Sequence, residues 1–213
     1  MKLWFRILHV WLTWRSRPKL TIDEVSRITL RVWPTDLDVY NHMNNGVFLT
    51  LMDIGRYDQG LRTGIWQEWN KRGWFPIVVN STISYRKALL PWQKFTIETK
   101  VLGWDEIAYY IEQRFVRDGE IYARAIMRGR FLKRSWGTLT PQEVMEGSGG
   151  WPGKQPEVPK WVKDWAAWFS FPRARNRPQA PGTSPFCTSG KLQWRRRWGL
   201  AEGPEFPGAS PYT

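Results

Sequence analysis

Between Ser26 and Trp33 the chain alternates polar and apolar residues and is rich in β-branched and aromatic side chains, which predicts a half-buried strand. Pro34 ends it, because proline has no amide hydrogen for a ladder. From Gly46 to about Leu61 the apolar positions Val47, Phe48, Leu51, Ile54 and Leu61, with Asp53, Arg56 and Asp58 between them, have the spacing of a helix with one buried face. A Trp-rich extension follows (Trp66, Trp69, Trp74), then four alternating runs at about Pro76–Arg86, Gln93–Leu102, Ile107–Val116 and Ile121–Leu132. Asp118-Gly119 between the last two is a hairpin signal. One strand, one long helix and a meander of strands predict an α+β domain, residues 26–136, in which a central helix is wrapped by an antiparallel sheet.

The flanks read differently. Residues 1–25 hold an apolar, aromatic and basic stretch, Met1–Arg15, that Arg6 and His9 interrupt. It is shorter than the roughly 20 apolar residues of a bilayer span, and Arg15-Ser16-Arg17-Pro18 is no signal-peptide cleavage site. Two readings remain: an amphipathic helix making peripheral membrane contact through residues 1–15, or a helix packed on the domain's own surface. Residues 137–213 predict a capped helical turn at Thr140–Glu146, a Gly-rich linker at Gly147–Gly153, and a short amphipathic helix at Pro159–Phe169 with Trp161, Val162, Trp165 and Trp168 on one side. From Pro172 onward the composition predicts a disordered basic, Pro-rich tail.

Composition narrows the chemistry. The net charge of +13 divides as +3, +6 and +4 over residues 1–25, 26–136 and 137–213, so no segment concentrates it. Only Trp194-Arg195-Arg196-Arg197-Trp198 has the basic and aromatic pattern of a nucleic-acid contact, and a nucleic-acid partner is disfavoured. A polyanionic substrate or an anionic membrane surface accounts for the same excess. With one cysteine, Cys187, and two histidines, His9 and His42, the chain has no disulfide framework and no ligand set for zinc. This fits a cytoplasmic location, peripheral to a membrane if residues 1–15 bind one. No Gly-x-Ser-x-Gly elbow occurs, which disfavours a Ser-His-Asp triad, and Gly-rich phosphate loops are missing too; no cofactor and no metal are expected.

What remains is carboxylate chemistry in Asp36-Leu37-Asp38-Val39-Tyr40-Asn41-His42-Met43-Asn44-Asn45, a stretch of carboxylates, carboxamides and one imidazole that joins the first strand to the helix. Asn44 or Asn45 is placed to cap the helix, whose first amides and dipole favour negative charge in the turn. This Asp-x-Asp-x-x-x-His-x-Asn-Asn motif resembles that of the hotdog-fold acyl thioesterases, which include 4-hydroxybenzoyl-CoA thioesterase and the plant acyl-carrier-protein enzymes; within the group the chain is most similar to thioesterase superfamily member 6-like proteins. Ile83–Leu90 and Leu102–Tyr110 add to the likeness, which covers about residues 26–136.

The resemblance implies a hotdog fold, an acyl-CoA substrate, and assembly as a homodimer or dimer of dimers. It makes Asp38 the catalytic carboxylate, as nucleophile or general base, and gives His42 the task of orienting thioester or water. Asn44, Asn45, Gly46 and Val47 are the expected substrate-binding positions, with amides from Asn45 to Val47 meeting the carbonyl oxygen as it gains charge. Arg86, Lys87 and Lys94 are candidate contacts for coenzyme A phosphates. Asp36 is expected to cap or brace the loop, and Asn41 or Asn44 to hold the turn. In the plant enzymes an asparagine stands where Tyr40 is here, and a glutamate where Ala88 is. Substitutes are therefore expected from Asn80, Ser81 and Thr82 on the facing strand, across a dimer seam. The rival reading is a non-catalytic hotdog module that binds acyl chains or a protein, and it differs in whether Asp38 matters for turnover.

Overall fold

The long helix α2 (Asn45–Arg62) buries Phe48, Leu51, Met52, Ile54 and Leu61, and it sits where the apolar spacing places it. Gly55 lets it lie close to the sheet: a Cβ there would stand 2.8 Å from Gln113 Nε2 and Thr99 Oγ1 and 2.9 Å from Ile97 Cγ2. The computed structural model describes residues 2–153 and 155–169. The basic tail from Pro172, Cys187 and the Arg195–Arg197 run lie outside the described residues.

The sheet is antiparallel and runs β1 (Ser26–Arg31), β3 (Lys94–Trp104), β4 (Tyr109–Arg117), β5 (Glu120–Lys133), β2 (Trp74–Tyr85), with the short β6 (Thr138–Leu139) also on β5. This is the helix-wrapped sheet that the alternation predicted. Asp118 and Gly119 both have positive φ, 51° and 78°, as a two-residue type I′ hairpin requires. The Trp-rich extension is a separate helix, α3 (Ile65–Arg72), entered at Gly64 and left at Gly73, both left-handed.

Alternation along each strand divides the apolar residues between two faces. On the inner face Ile28, Phe95, Ile97 and Phe115 pack on α2, and farther along Tyr109, Ile111, Met127 and Phe131 meet Ile65. There α4 (Pro141–Gly147), capped by Thr140, adds Val144 and Met145. On the outer face Tyr110 and Ile126 are covered by Val158, Val162 and Ala166, the last two from α5 (Lys160–Trp168). The helix at 159–169 therefore forms, and of the side expected to be apolar only Val162 and Trp165 pack on the sheet. Trp161 and Trp168 are exposed, and Trp161 lies under the Arg124 guanidinium at 5.0 Å. The small Ala166 permits close approach to the sheet where an indole would hold the helix off.

Helix α1 (Lys2–Thr13) packs by Ile7 and Val10 onto the α2 core, joined by Trp14. The segment after it is tied down by buried charge: Asp58 accepts from Ser26 Oγ at 2.8 Å and pairs with Arg17 at 2.6 Å and Arg62 at 3.3 Å. Among the described residues no helix is long and apolar enough to cross a membrane.

Candidate active site

The polar decapeptide folds as a narrow loop that doubles back on itself. Asn44 N–H donates to the Asp36 carbonyl (2.9 Å), Leu37 bridges Met43, and Asp38 N–H donates to the His42 carbonyl (2.8 Å). The tip turns at Asn41, whose φ of 62° suits an asparagine and whose N–H donates to the Asp38 carbonyl (3.1 Å). Met43 N–H donates to the Leu89 carbonyl (2.8 Å), docking the loop on the segment that follows β2.

Asp36 is buried under the loop and braces it: its Oδ2 accepts from Trp33 N–H (2.8 Å) and Arg6 Nη2 (2.6 Å). Asp38 is half-buried at the surface. Its Oδ1 accepts from Tyr40 N–H (2.9 Å) and His42 N–H (3.3 Å), so the loop's own amides aim the carboxylate. The other oxygen has no hydrogen-bond partner among the described residues, which leaves it open to a reacting group.

The remaining sequence-derived positions fall into two groups. Asn44 is the N-cap of α2, its Oδ1 accepting from Gly46 N–H at 2.8 Å and its carbonyl from Val47 N–H at 2.9 Å. Two of the three amides expected to meet the substrate carbonyl are thus occupied by Asn44, and the Asn45 N–H remains. Tyr85 Oη donates to the Asn45 carbonyl (3.1 Å) and its ring meets Phe48 at 5.1 Å, closing the end of β2 onto the start of α2. The His42 imidazole is exposed and touches Asp38 only through its backbone. Asn80 and Thr82 lie on β2 upstream of Tyr85, with no hydrogen bond to the loop among the described residues. The structure does not bring them to Asp38 within one chain. Lys87 pairs with Glu120, and Lys94 begins β3 opposite Arg31.

A second feature was missed from sequence. An apolar cavity of about 340 Å³ lies between α2, α3, β2 and the sheet, walled by Tyr57, Trp66, Trp69, Val78, Tyr109 and Phe131, with Asp53 and Arg56 at its polar side. Arg56 pairs with Asp53 and donates to Gln113 Oε1 at 2.8 Å. Gln113 Nε2 in turn donates to the Met52 carbonyl (2.9 Å) and Thr99 Oγ1 (3.0 Å). Burial pushes the Tyr109 phenol well up, and the Arg56 charge offsets this in part. Asn45, Leu49, Asp53 and Arg56 follow one another on a single face of α2, so this face runs from the loop to the cavity. Asp53 is eight residues past Asn45, about 12 Å along the axis. The sequence signal was the i, i+3 carboxylate–guanidinium pair on the polar side of the helix.

Comparisons with known proteins bear on the family and the fold. Protein THEM6 of Xenopus laevis is 34% identical over 134 residues, 63% of this chain and 63% of the frog protein, so the chain spans less than two thirds of that relative's length. The solved structure of YbaW, a probable thioesterase from Escherichia coli, superposes with a TM-score of 0.54 at 21% identity, covering 58% of this chain and 98% of that one. BH1999, a gentisyl-coenzyme A thioesterase, gives 0.51 at 15% identity, covering 56% and 98%. A family model described as the thioesterase-like superfamily matches residues 32–166. The chain belongs to the thioesterase-like superfamily and has the hotdog fold of its members.

Proposed function

We propose that the protein hydrolyses acyl-CoA thioesters, with Asp38 acting at the thioester carbonyl. The observation that carries this reading is the Asp38 carboxylate itself, aimed through one oxygen by two loop amides and open at the other. As general base it takes a proton from water as the water oxygen adds to the carbonyl carbon. The oxyanion that forms faces the Asn45 N–H and the positive end of α2. Collapse breaks the C–S bond, and the departing thiolate takes the proton. As nucleophile the same carboxylate would form an acyl anhydride that water then opens. The acyl group follows the Asn45–Leu49–Asp53 face of α2 to the apolar cavity. A coenzyme A thioester is the substrate of the BH1999 neighbour, and a net charge of +13 favours a polyanionic substrate of this kind.

The active unit in this proposal is a dimer. Strand β2 is a sheet edge whose 12 residues, Trp74–Tyr85, include no charged side chain, and Val78, Val79 and Tyr85 on it are exposed. An uncharged edge of that length invites pairing. A second copy there supplies the route by which Asn80 and Thr82 reach the partner's Asp38 loop.

The test is thiol release from acyl-CoAs of increasing chain length, comparing the parent with Asp38→Asn. Turnover that is lost in the variant supports the proposal. A folded parent that hydrolyses none of them, or a variant as active as the parent, overturns it. A parent without turnover favours a non-catalytic acyl-binding module, for which the capped Gly46 and Val47 amides already speak; a variant as active as the parent moves the chemistry to another group.

A further inference from the structure

Helix α1 is apolar around more than half of its circumference, and packing on the domain uses only part of that arc. Ile7 and Val10 face inward, whereas Trp4, Phe5, Leu8, Trp11 and Leu12 form one outward stripe at helical spacing. Each of these five is at least half exposed, Trp4 to 73%. The stripe continues onto the neighbouring sheet edge. There Trp33 and Trp92 meet edge to face at 5.8 Å, both half exposed, and Trp92 holds a φ of 64° that non-glycine residues seldom adopt.

Between α1 and β1 lies a groove of about 540 Å³ lined by Phe5, Arg6, His9, Arg31, Trp33 and Lys94 among others, and no carboxylate lines it. Arg31 and Lys94 are direct cross-strand partners, an arrangement of like charges that costs stability unless an anion lies between them. Neither has a carboxylate partner among the described residues. Arg6 already serves Asp36, which is buried beneath.

We infer that this face seats the protein on an anionic lipid surface, with α1 lying in the plane of the membrane. A helix of 12 residues is about 18 Å long, too short for the roughly 30 Å hydrocarbon core but suited to the interface. The tryptophans and leucines enter the headgroup boundary, and Arg31, Lys94 and His9 meet lipid phosphates or carboxylates. A second copy is the poorer occupant. A symmetric contact through this face would set one cationic groove against another, whereas an anionic headgroup neutralises it. Because Ile7, on the inward side of α1, lines the apolar cavity, the helix separates that cavity from the bilayer.

The experiment is flotation of the full chain with vesicles of phosphatidylcholine alone and of phosphatidylcholine with phosphatidylserine. The parent is expected to float with the second. Trp4→Ser/Leu8→Ser/Trp11→Ser, folded by circular dichroism, is expected to bind at least about tenfold more weakly, and Arg31→Ser/Lys94→Ser to lose the preference for phosphatidylserine. A parent that stays with neither vesicle, or a triple variant that floats as well as the parent, overturns the inference. So does a triple variant that loses self-association in sedimentation while its vesicle binding is unchanged, which would make the stripe a contact between copies.

Discussion

Asp38 and His42 are separated by what each contacts, and the difference yields a paired prediction. An amide in place of the Asp38 carboxylate still accepts from Tyr40 and His42 N–H through its oxygen, so Asp38→Asn should leave the loop and the melting temperature unchanged. It removes the charge, and kcat should fall at least about 10²-fold. His42→Ala removes an exposed imidazole and keeps the backbone amide that aims Asp38. Steady-state kinetics should show kcat within a few fold of the parent, and a loss as large as that of Asp38→Asn would show that the imidazole turns inward to the substrate. The cap and the turn were legible in the sequence because Asn44 and Asn41 act on their own backbone, within a few residues. The Asp36–Arg6 pair spans 30 positions and carries no local signal. The placement of His42 depends on which way the loop twists, and residue spacing does not encode that.

Periodicity located α2 and the four long strands to within a few residues because each is long and buries one face continuously. It missed α3, where the tryptophans at 66 and 69 divide between the Tyr57 ring and Phe131 instead of forming one simple stripe. The cavity was illegible for a related reason: it is bounded by two helices, an edge strand and the sheet, and no single segment carries its pattern. Two element contacts make predictions. Gly55→Ala places a methyl against Gln113, Thr99 and Ile97, so α2 must lift from the sheet. Chemical denaturation should show a loss of about 1–3 kcal/mol, and a gain, as expected of an alanine in a free helix, would show that the contact is loose. Val78→Lys puts a charge on the uncharged, exposed edge of β2. If a second copy pairs there, sedimentation should show the variant as monomer at concentrations where the parent is dimeric; an unchanged mass would move the interface elsewhere.

For the whole molecule, the dryness of the interior around the cavity decides whether an acyl chain displaces water there, and Tyr109 reports on it. Its ring packs on Phe131 at 4.7 Å and against Gly129, and its hydroxyl has no hydrogen-bond partner among the described residues. Burial raises its pKa, so the folded state holds the neutral phenol at a pH where the unfolded chain, titrating near pH 10, has released the proton. The unfolded state then binds fewer protons than the folded one, and stability falls as pH rises through this window. The contribution is fully present below about pH 10 and is lost progressively above it, by up to about 1.4 kcal/mol per pH unit for one group. Tyr110, whose hydroxyl donates to Asp105 Oδ2 at 2.6 Å, is raised as well, by burial and by that hydrogen bond, and contributes with the same sign. Tyr109→Phe isolates the first group, since it removes the ionisable oxygen and breaks no hydrogen bond. Denaturation midpoints of parent and variant should nearly coincide at neutral pH and separate above about pH 10, with the variant falling less steeply. Curves that stay parallel would mean that Tyr109 ionises in place. The cavity would then be wet in the folded protein, and the acyl chain would have to be housed elsewhere along α2.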